Sequence, residues 1–375
     1  MKKQKILITG GAGFIGRHLT AYLQKSGHWV RWLDNLDPQV HGPKAIHNTA
    51  YCQQADEMLL GDVRERKDWQ RALQGMNTVF HLAAQTGTGQ SMYQVARYTN
   101  VNVGGTALLW EILANESTKV KKVIVASSRS IYGEGAYTCF AGCGLVVPES
   151  RSKLELQKKQ WRLMCPKCNG AVQAIATPET CPPQPASLYA CTKLAQEQMS
   201  LAMGKALNIS TVVLRFQNVY GAGQSMRNPY TGIISIFSNQ MRQNLPINIY
   251  EDGEESRDFV FVEDVAKVCA WALKLDSPTA ILNVGSGQAT KVIELAQILK
   301  VCWHSTSQIT ISGDFRVGDI RHNWADTSQL QKAWPTWTAT SLNKGLVKYI
   351  RWAKMQPVFA DHSNKAMNEL KTRNL

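Results

Sequence analysis

Four groups of residues in this 375-residue chain have types and spacings that could do chemistry. Gly10, Gly13 and Gly16 recur every third position in Thr9-Gly-Gly-Ala-Gly-Phe-Ile-Gly16. In such a turn, bare backbone N–H groups at a helix start can take up a dinucleotide pyrophosphate. Asp34 stands about 20 residues beyond them, where a carboxylate grips the hydroxyls of an adenosine ribose. Tyr189 and Lys193 are four apart, on one face of any helix that carries them. A tyrosine is a poor base near neutral pH, and a cation one turn away favours its phenolate. Ser127-Ser128 closes an apolar run, and Ser128 could hydrogen-bond a substrate oxygen during proton transfer. Finally, Cys139/Cys143 and Cys165/Cys168 form two ligand-spaced pairs. Four thiolates make a closed tetrahedral zinc site with no open position, hence a structural one.

The elements that must position these groups follow from the apolar pattern. Ile6, Leu7 and Ile8 read as a buried strand before the glycines. Phe14, Ile15, Leu19, Tyr22 and Leu23 give an amphipathic helix after them, and Trp29–Leu33 a second strand ending at Asp34. A polar loop runs from Pro38 to Gln54. Met58–Leu60 leads to Gly61-Asp62-Val63, where Asp62 could meet an adenine amino group or remain a solvated loop aspartate. Val79–Ala84 and Val123–Ser128 are further strands, with a helix from Asn102 to Leu113 between them. This alternation predicts an α/β fold, a Rossmann-type doubly wound parallel sheet with its ligand crevice at the C-terminal strand ends.

Lysine and arginine total 42 against 28 acids, a net charge of +14 and a pI near 9.4. Such an excess suits either an anionic small substrate or a nucleic-acid or membrane surface. The charges are mostly dispersed, which favours the plainer reading of solubility and general anion attraction. Arg151, Lys153, Lys158, Lys159, Arg162 and Lys167 lie between the cysteine pairs without the interleaved aromatics of a base-stacking platform, so nucleic acid is disfavoured. No apolar run is long enough to span a membrane, and the run after Lys2-Lys3 breaks at Gly10-Gly11, short of a secretory signal. A cytoplasmic location is expected, and nine cysteines suit a reducing compartment as thiols or ligands.

The motifs, taken together, resemble the extended short-chain dehydrogenase/reductase superfamily, in its branch of nucleotide-sugar epimerases and dehydratases. The resemblance rests on Thr9–Gly16, His81-Leu-Ala-Ala84, Ser127-Ser128 before Tyr132-Gly133, and Tyr189-Ala-Cys-Thr-Lys193. It continues through Arg215-Phe-Gln-Asn218, Arg257-Asp-Phe-Val-Phe-Val262 and Asn283-Val-Gly285, in family order over roughly residues 5–330. It implies NAD as cofactor, held by Gly10, Gly13, Phe14, Ile15, Gly16, Asp34, Asn35, Asp62, Val63, Leu82, Ala83, Ala84, Tyr189 and Lys193, the last on the nicotinamide ribose. It implies catalysis by Ser128, Tyr189 and Lys193. The nucleotide-diphosphate sugar falls to Ser128, Asn218, Asn228, Arg257 and Arg316, the two arginines gripping the diphosphate, with Arg321-His322 a weaker candidate. A homodimer is expected.

The family's 4,6-dehydratases carry Asp and Glu in the two positions after the threonine that replaces the serine. Here those positions are Arg129 and Ser130, so epimerisation is expected rather than loss of water. Relatives join serine and tyrosine by a much shorter loop, and the zinc-ribbon-like insert occupies about 133–185, with Cys181 a spare ligand. The insert, Asn228-Pro-Tyr-Thr-Gly-Ile233 and Arg316-Val-Gly-Asp-Ile-Arg-His322 resemble a group of 4-epimerases whose sugar is dTDP-L-rhamnose and whose product is dTDP-6-deoxy-L-talose. A UDP-hexose 4-epimerase is one alternative. An NAD-sensing protein that holds a partner on its zinc ribbon is another, disfavoured by the intact Ser128, Tyr189 and Lys193. The expected domains are 1–217 for NAD (with the insert), 218–355 mainly for substrate, and a polar tail over 356–375.

Overall fold

The computed structural model describes residues 3–42, 45, 53–226, 232–359 and 372–373. Asn228 lies outside them, as does most of the 38–54 loop; the loop's start is a short helix, Pro38–His41, capped by the Asp37 carboxylate on the Gln39 N–H. Two compact units are present. The first is built from 1–128, 188–215 and 262–282, and the second from 129–187, 216–261 and 283–375. The single division expected at 217 is thus replaced by an interleaved one. The 133–185 insert belongs to the second unit, while 262–282 returns to the first. Sequence order could not reveal this, because the sheet recruits a strand from late in the chain.

The first unit is organised on a seven-stranded sheet. Its strands are β1 (Lys5–Thr9), β2 (Trp29–Asp34), β3 (Glu57–Leu60), β4 (Thr78–His81), β5 (Lys122–Ser128), β6 (Ser210–Phe216) and β7 (Thr279–Val284), in the order β7-β6-β5-β4-β1-β2-β3. Pairing is parallel from β3 through β2, β1 and β4 to β5. Both faces are covered by helices, which is why Ile6, Leu7 and Ile8 are wholly buried without alternation. Each contributes roughly 1.5–3 kcal/mol by leaving water. The helices needed below are α1 (Phe14–Lys25), α2 (Gly105–Asn115), α3 (Leu188–Ala206) and α4 (Val262–Ala272). A π-turn, Thr99–Gly104, precedes α2 where a plain helix start was expected. The Lys122 ammonium donates to the carbonyls of Ala272, Leu273 and Leu275, closing the C-terminal end of α4. Strand order reverses between β1 and β4, and their C-terminal ends open the crevice in which such sheets bind ligands.

The second unit has its own core of Tyr220, Phe237, Phe259, Phe261, Leu295, Leu299, Leu346 and Tyr349. Residues 356–359, expected in the polar tail, are tied down: Asn239 Nδ2 donates to the Phe359 carbonyl, and Arg242 to those of Gln356 and Pro357. The insert carries a three-stranded antiparallel sheet, with Tyr137–Cys139 between Gly144–Val146 and Val172–Ala174. Tyr137, Val146 and Leu163 pack there with Cys139 and Cys165 in a small core. The two ends of the insert adjoin. The Gln184 N–H donates to the Ile131 carbonyl at 2.8 Å, and a Cβ on Gly133 would lie 2.3 Å from the Gln184 oxygen. Arg151, in mid-insert, is buried in an ion pair with Glu251 and donates to the Asp319 carbonyl. Among the described residues no helix is long and apolar enough to cross a membrane.

Candidate active site

The glycine turn is a cradle that side chains would fill. Gly10 has φ +69°, and a Cβ there would stand 2.9 Å from the Ala83 nitrogen. A Cβ on Gly16 would lie 2.5 Å from the carbonyl oxygens of Gly10 and Gly11. Gly13 is the residue before α1, and Phe14 and Ile15 open that helix, half-buried. The turn into α1 is thus packed too closely for side chains at Gly10 and Gly16, and its backbone stays bare, a fit for a dinucleotide pyrophosphate. Gly11, which the spacing does not single out, is equally constrained: a Cβ would lie 2.2 Å from the Trp32 indole. The Leu82 and Ala83 N–H groups bond the Thr9 carbonyl and hydroxyl, so Leu82-Ala83-Ala84 runs against the turn.

Asp34 ends β2 and is fastened to the turn, accepting from the Ala12 N–H at 3.0 Å and the Leu36 N–H at 2.9 Å. Burial raises its pKa against the opposing pull of His41 and these two amides. Asp62 has both oxygens engaged by Arg64 and one by Asn35 Nδ2. Burial alone would raise its pKa, but the Arg64 bonds outweigh it and hold the carboxyl below its usual range. Val63 is buried against Gly105, with the Trp69 indole donating to its carbonyl.

Ser128 is the last residue of β5, and Tyr189 and Lys193 occupy the first two turns of α3, which packs on β5. The Tyr189 N–H donates to Ser91 Oγ at 3.1 Å. Lys193 is 3% exposed, its ammonium donating to Gln196 Oε1 at 2.8 Å, and burial pulls its pKa down to about 7. Glu197 pins α3 in place: it accepts from Ser127 Oγ on β5 and pairs with Arg215 on β6. Sequence reading missed Gln196 and Glu197, although their positions three and four beyond Lys193 were the available signal. Tyr98, beside Tyr189, donates its hydroxyl to the Thr86 carbonyl, and burial raises its pKa, keeping it a neutral donor.

In the second unit, Arg257 donates through both terminal nitrogens to the carbonyls of Ser256, Ile320 and Arg321. Arg316 is exposed and stacks on Tyr250, 4.7 Å from the ring centroid. Asn218 Oδ1 accepts from Arg129 Nε at 3.0 Å. Arg321 is committed elsewhere, paired with Asp252 on both oxygens and with Glu251.

The four cysteine sulfurs Cys139, Cys143, Cys165 and Cys168 lie within 4.8 Å of one another. A tetrahedral zinc with bonds near 2.3 Å holds its sulfurs about 3.8 Å apart. The Cys143 N–H leads the groups aimed at the Cys139 sulfur and lowers that thiol to about 6. Cys181 is buried but stays outside the cluster.

A family model described as the NAD dependent epimerase/dehydratase family matches residues 6–143 and 164–285, passing over the stretch between the two cysteine pairs. The dTDP-L-rhamnose 4-epimerase of Burkholderia thailandensis is 36% identical over 359 residues, covering 93% of this chain and 94% of that one. A putative UDP-glucose 4-epimerase of Methanocaldococcus jannaschii is 28% identical, with 93% and 98% covered. Among solved structures, MoeE5 in complex with UDP-glucuronic acid and NAD superposes with a TM-score of 0.73 at 29% identity, covering 93% of this chain and 99% of that one.

Proposed function

The chain belongs to the NAD dependent epimerase/dehydratase family, and from that membership we propose that it is an NAD-dependent 4-epimerase interconverting dTDP-L-rhamnose and dTDP-6-deoxy-L-talose. The observation that carries the sugar is the similarity, over nearly the whole of both chains, to the Burkholderia enzyme. NAD fits the bare cradle at Gly10, Gly13 and Gly16, with Asp34 on the adenosine ribose and Lys193 on the nicotinamide ribose. When bound, it supplies the hydride acceptor and donor for C4. Tyr189 takes the proton from the sugar O4 as phenolate and gives it back, Ser128 holds that oxygen, and the Lys193 charge keeps the phenolate accessible. The 4-keto sugar turns over and is reduced on its other face. Arg129 and Ser130 offer no acid–base pair for loss of water. Arg257, Arg316, Asn218 and Asn228 bind the nucleotide diphosphate and sugar. The same reading includes a cytoplasmic homodimer and one structural zinc on the four clustered cysteines.

The test is to incubate the protein with dTDP-L-rhamnose, and separately with UDP-glucose, following the sugar ring protons by NMR. Inversion at C4 of dTDP-L-rhamnose with no external nicotinamide consumed is the expected result. Inversion of the UDP sugar alone keeps the mechanism and moves the substrate to the UDP-hexose reading, which the UDP-sugar relatives favour. Loss of water from dTDP-glucose overturns both.

Cofactor choice is a second expectation. Asp34 sits where a ribose 2′-phosphate would meet a carboxylate, so NADP binds at least about tenfold more weakly than NAD, a difference of about 1.4 kcal/mol. Titration calorimetry giving equal affinities would reject the role of Asp34.

A further inference from the structure

We infer that Gln196 is a positioning residue for Lys193: its side-chain amide holds the ammonium and ties it, through Thr106 and His81, to the ends of β1 and β4 that flank the glycine turn. Gln196 is 1% exposed, and its Oε1 accepts the one described hydrogen bond of the Lys193 ammonium. On its other side, Nε2 donates to Thr106 Oγ1 at 2.7 Å. The reversed amide would set its NH2 against the ammonium, so Lys193 itself selects the orientation.

The proton positions beyond Gln196 then follow one from another. Thr106 gives its hydroxyl hydrogen to the Asn102 carbonyl at 2.6 Å, so its oxygen can only accept from Gln196 and from His81 Nε2, the latter at 3.0 Å. His81 therefore carries a hydrogen on Nε2, and burial leaves the ring neutral. Its Nδ1 accepts from the Thr9 hydroxyl at 2.8 Å, and Thr9 Oγ1 accepts from the Ala83 N–H at 3.1 Å. The 3.4 Å approach of Gln196 Nε2 to His81 Nε2 is then two donors side by side. Burial and the Lys193 charge push the His81 pKa to about 3, the same protonation state. One buried chain of partners thus joins the lysine head on α3 to the ends of β1 and β4, the segments flanking the glycine cradle.

Other ionisable groups around Lys193 do not replace this contact. Tyr189 shares its helix, with Tyr98 beside it. His81 on β4 is neutral. Glu197 is taken by Arg215 and Ser127, and Arg97 by Asp37. Gln196 Oε1 is the dipole that compensates a buried ammonium, and its loss favours the uncharged amine.

The contact stands on geometry alone; its role rests on the function proposed above for Tyr189 and Lys193. The experiment uses full-length protein with NAD and lysine labelled at Cε and Nζ. The Lys193 signal is assigned by its loss in Lys193→Met and titrated against pH by NMR. Gln196→Leu lowers the midpoint by about one unit, and Gln196→Glu, which restores an acceptor, raises it by a similar amount. In turnover, Gln196→Leu loses kcat about tenfold with KM little changed, and Gln196→Glu recovers part of it. Midpoints within about 0.3 unit of the unaltered protein in both variants overturn the inference; Gln196→Glu decides alone if Gln196→Leu does not fold. Shifted midpoints in a protein that turns over no nucleotide sugar leave the contact standing and remove the epimerase reading. Turnover with unmoved midpoints removes only this inference.

Discussion

Tyr189→Phe lowers turnover by roughly 10²–10⁴-fold, the range a positioned proton carrier supplies. The ring of Tyr189 stands half-buried at the start of α3, and its backbone N–H is already held by Ser91, so losing the hydroxyl leaves the helix in place. The variant keeps the far-ultraviolet circular dichroism of the parent and binds NAD with affinity within about fivefold, because one neutral hydrogen bond is worth about 1 kcal/mol. Stopped assays of C4 inversion read the loss. Activity above a few per cent of the parent's means that another group carries the proton, and Tyr189 drops out of the mechanism.

Loss of zinc has the second large effect, confined to another part of the molecule. Purified protein contains about one zinc per chain by elemental analysis, and Cys165→Ser abolishes it. The insert's apolar core consists of little more than Tyr137, Val146 and Leu163. Structural zinc contributes about 10–16 kcal/mol in small metal-organised domains, far more than three such side chains. Hydrogen exchange over the strands Tyr137–Cys139, Gly144–Val146 and Val172–Ala174 accelerates in the variant, while the seven-stranded sheet keeps its protection. Protein without metal, with all four thiols titrating freely, rejects the site.

Much of this architecture is legible in the sequence because it is local. The glycine spacing, the buried run before it and Asp34 at the end of β2 lie within one βαβ unit, and the Tyr189–Lys193 spacing is a property of a single helix. What was not legible depends on elements remote in sequence. Gln196 reads as an ordinary polar helix residue until strand order places His81 and Thr106 beside it. Arg257 and Arg321 look alike as isolated arginines. Only the fold gives Arg321 its acidic partners, Asp252 and Glu251, and faces Arg257 with backbone carbonyls. Sequence also cannot show that Arg151, amid the surface lysines of the insert, is buried against Glu251.

The adjoining ends of the insert give it the character of a graft. Where chain enters and leaves at one point, a segment can be gained, lost or exchanged with little demand on its host, because closing the gap takes only a short turn. The bond between Ile131 and Gln184 marks such a splice point. Beyond that point the graft is tied to its host by Arg151 on Glu251, by Glu134 on the Arg321 N–H, and by Thr177 and Glu179 on Asn283, and excision would remove all of these partners. A foreign module carried across this point would therefore have to supply new partners for Asn283, Glu251 and Arg321.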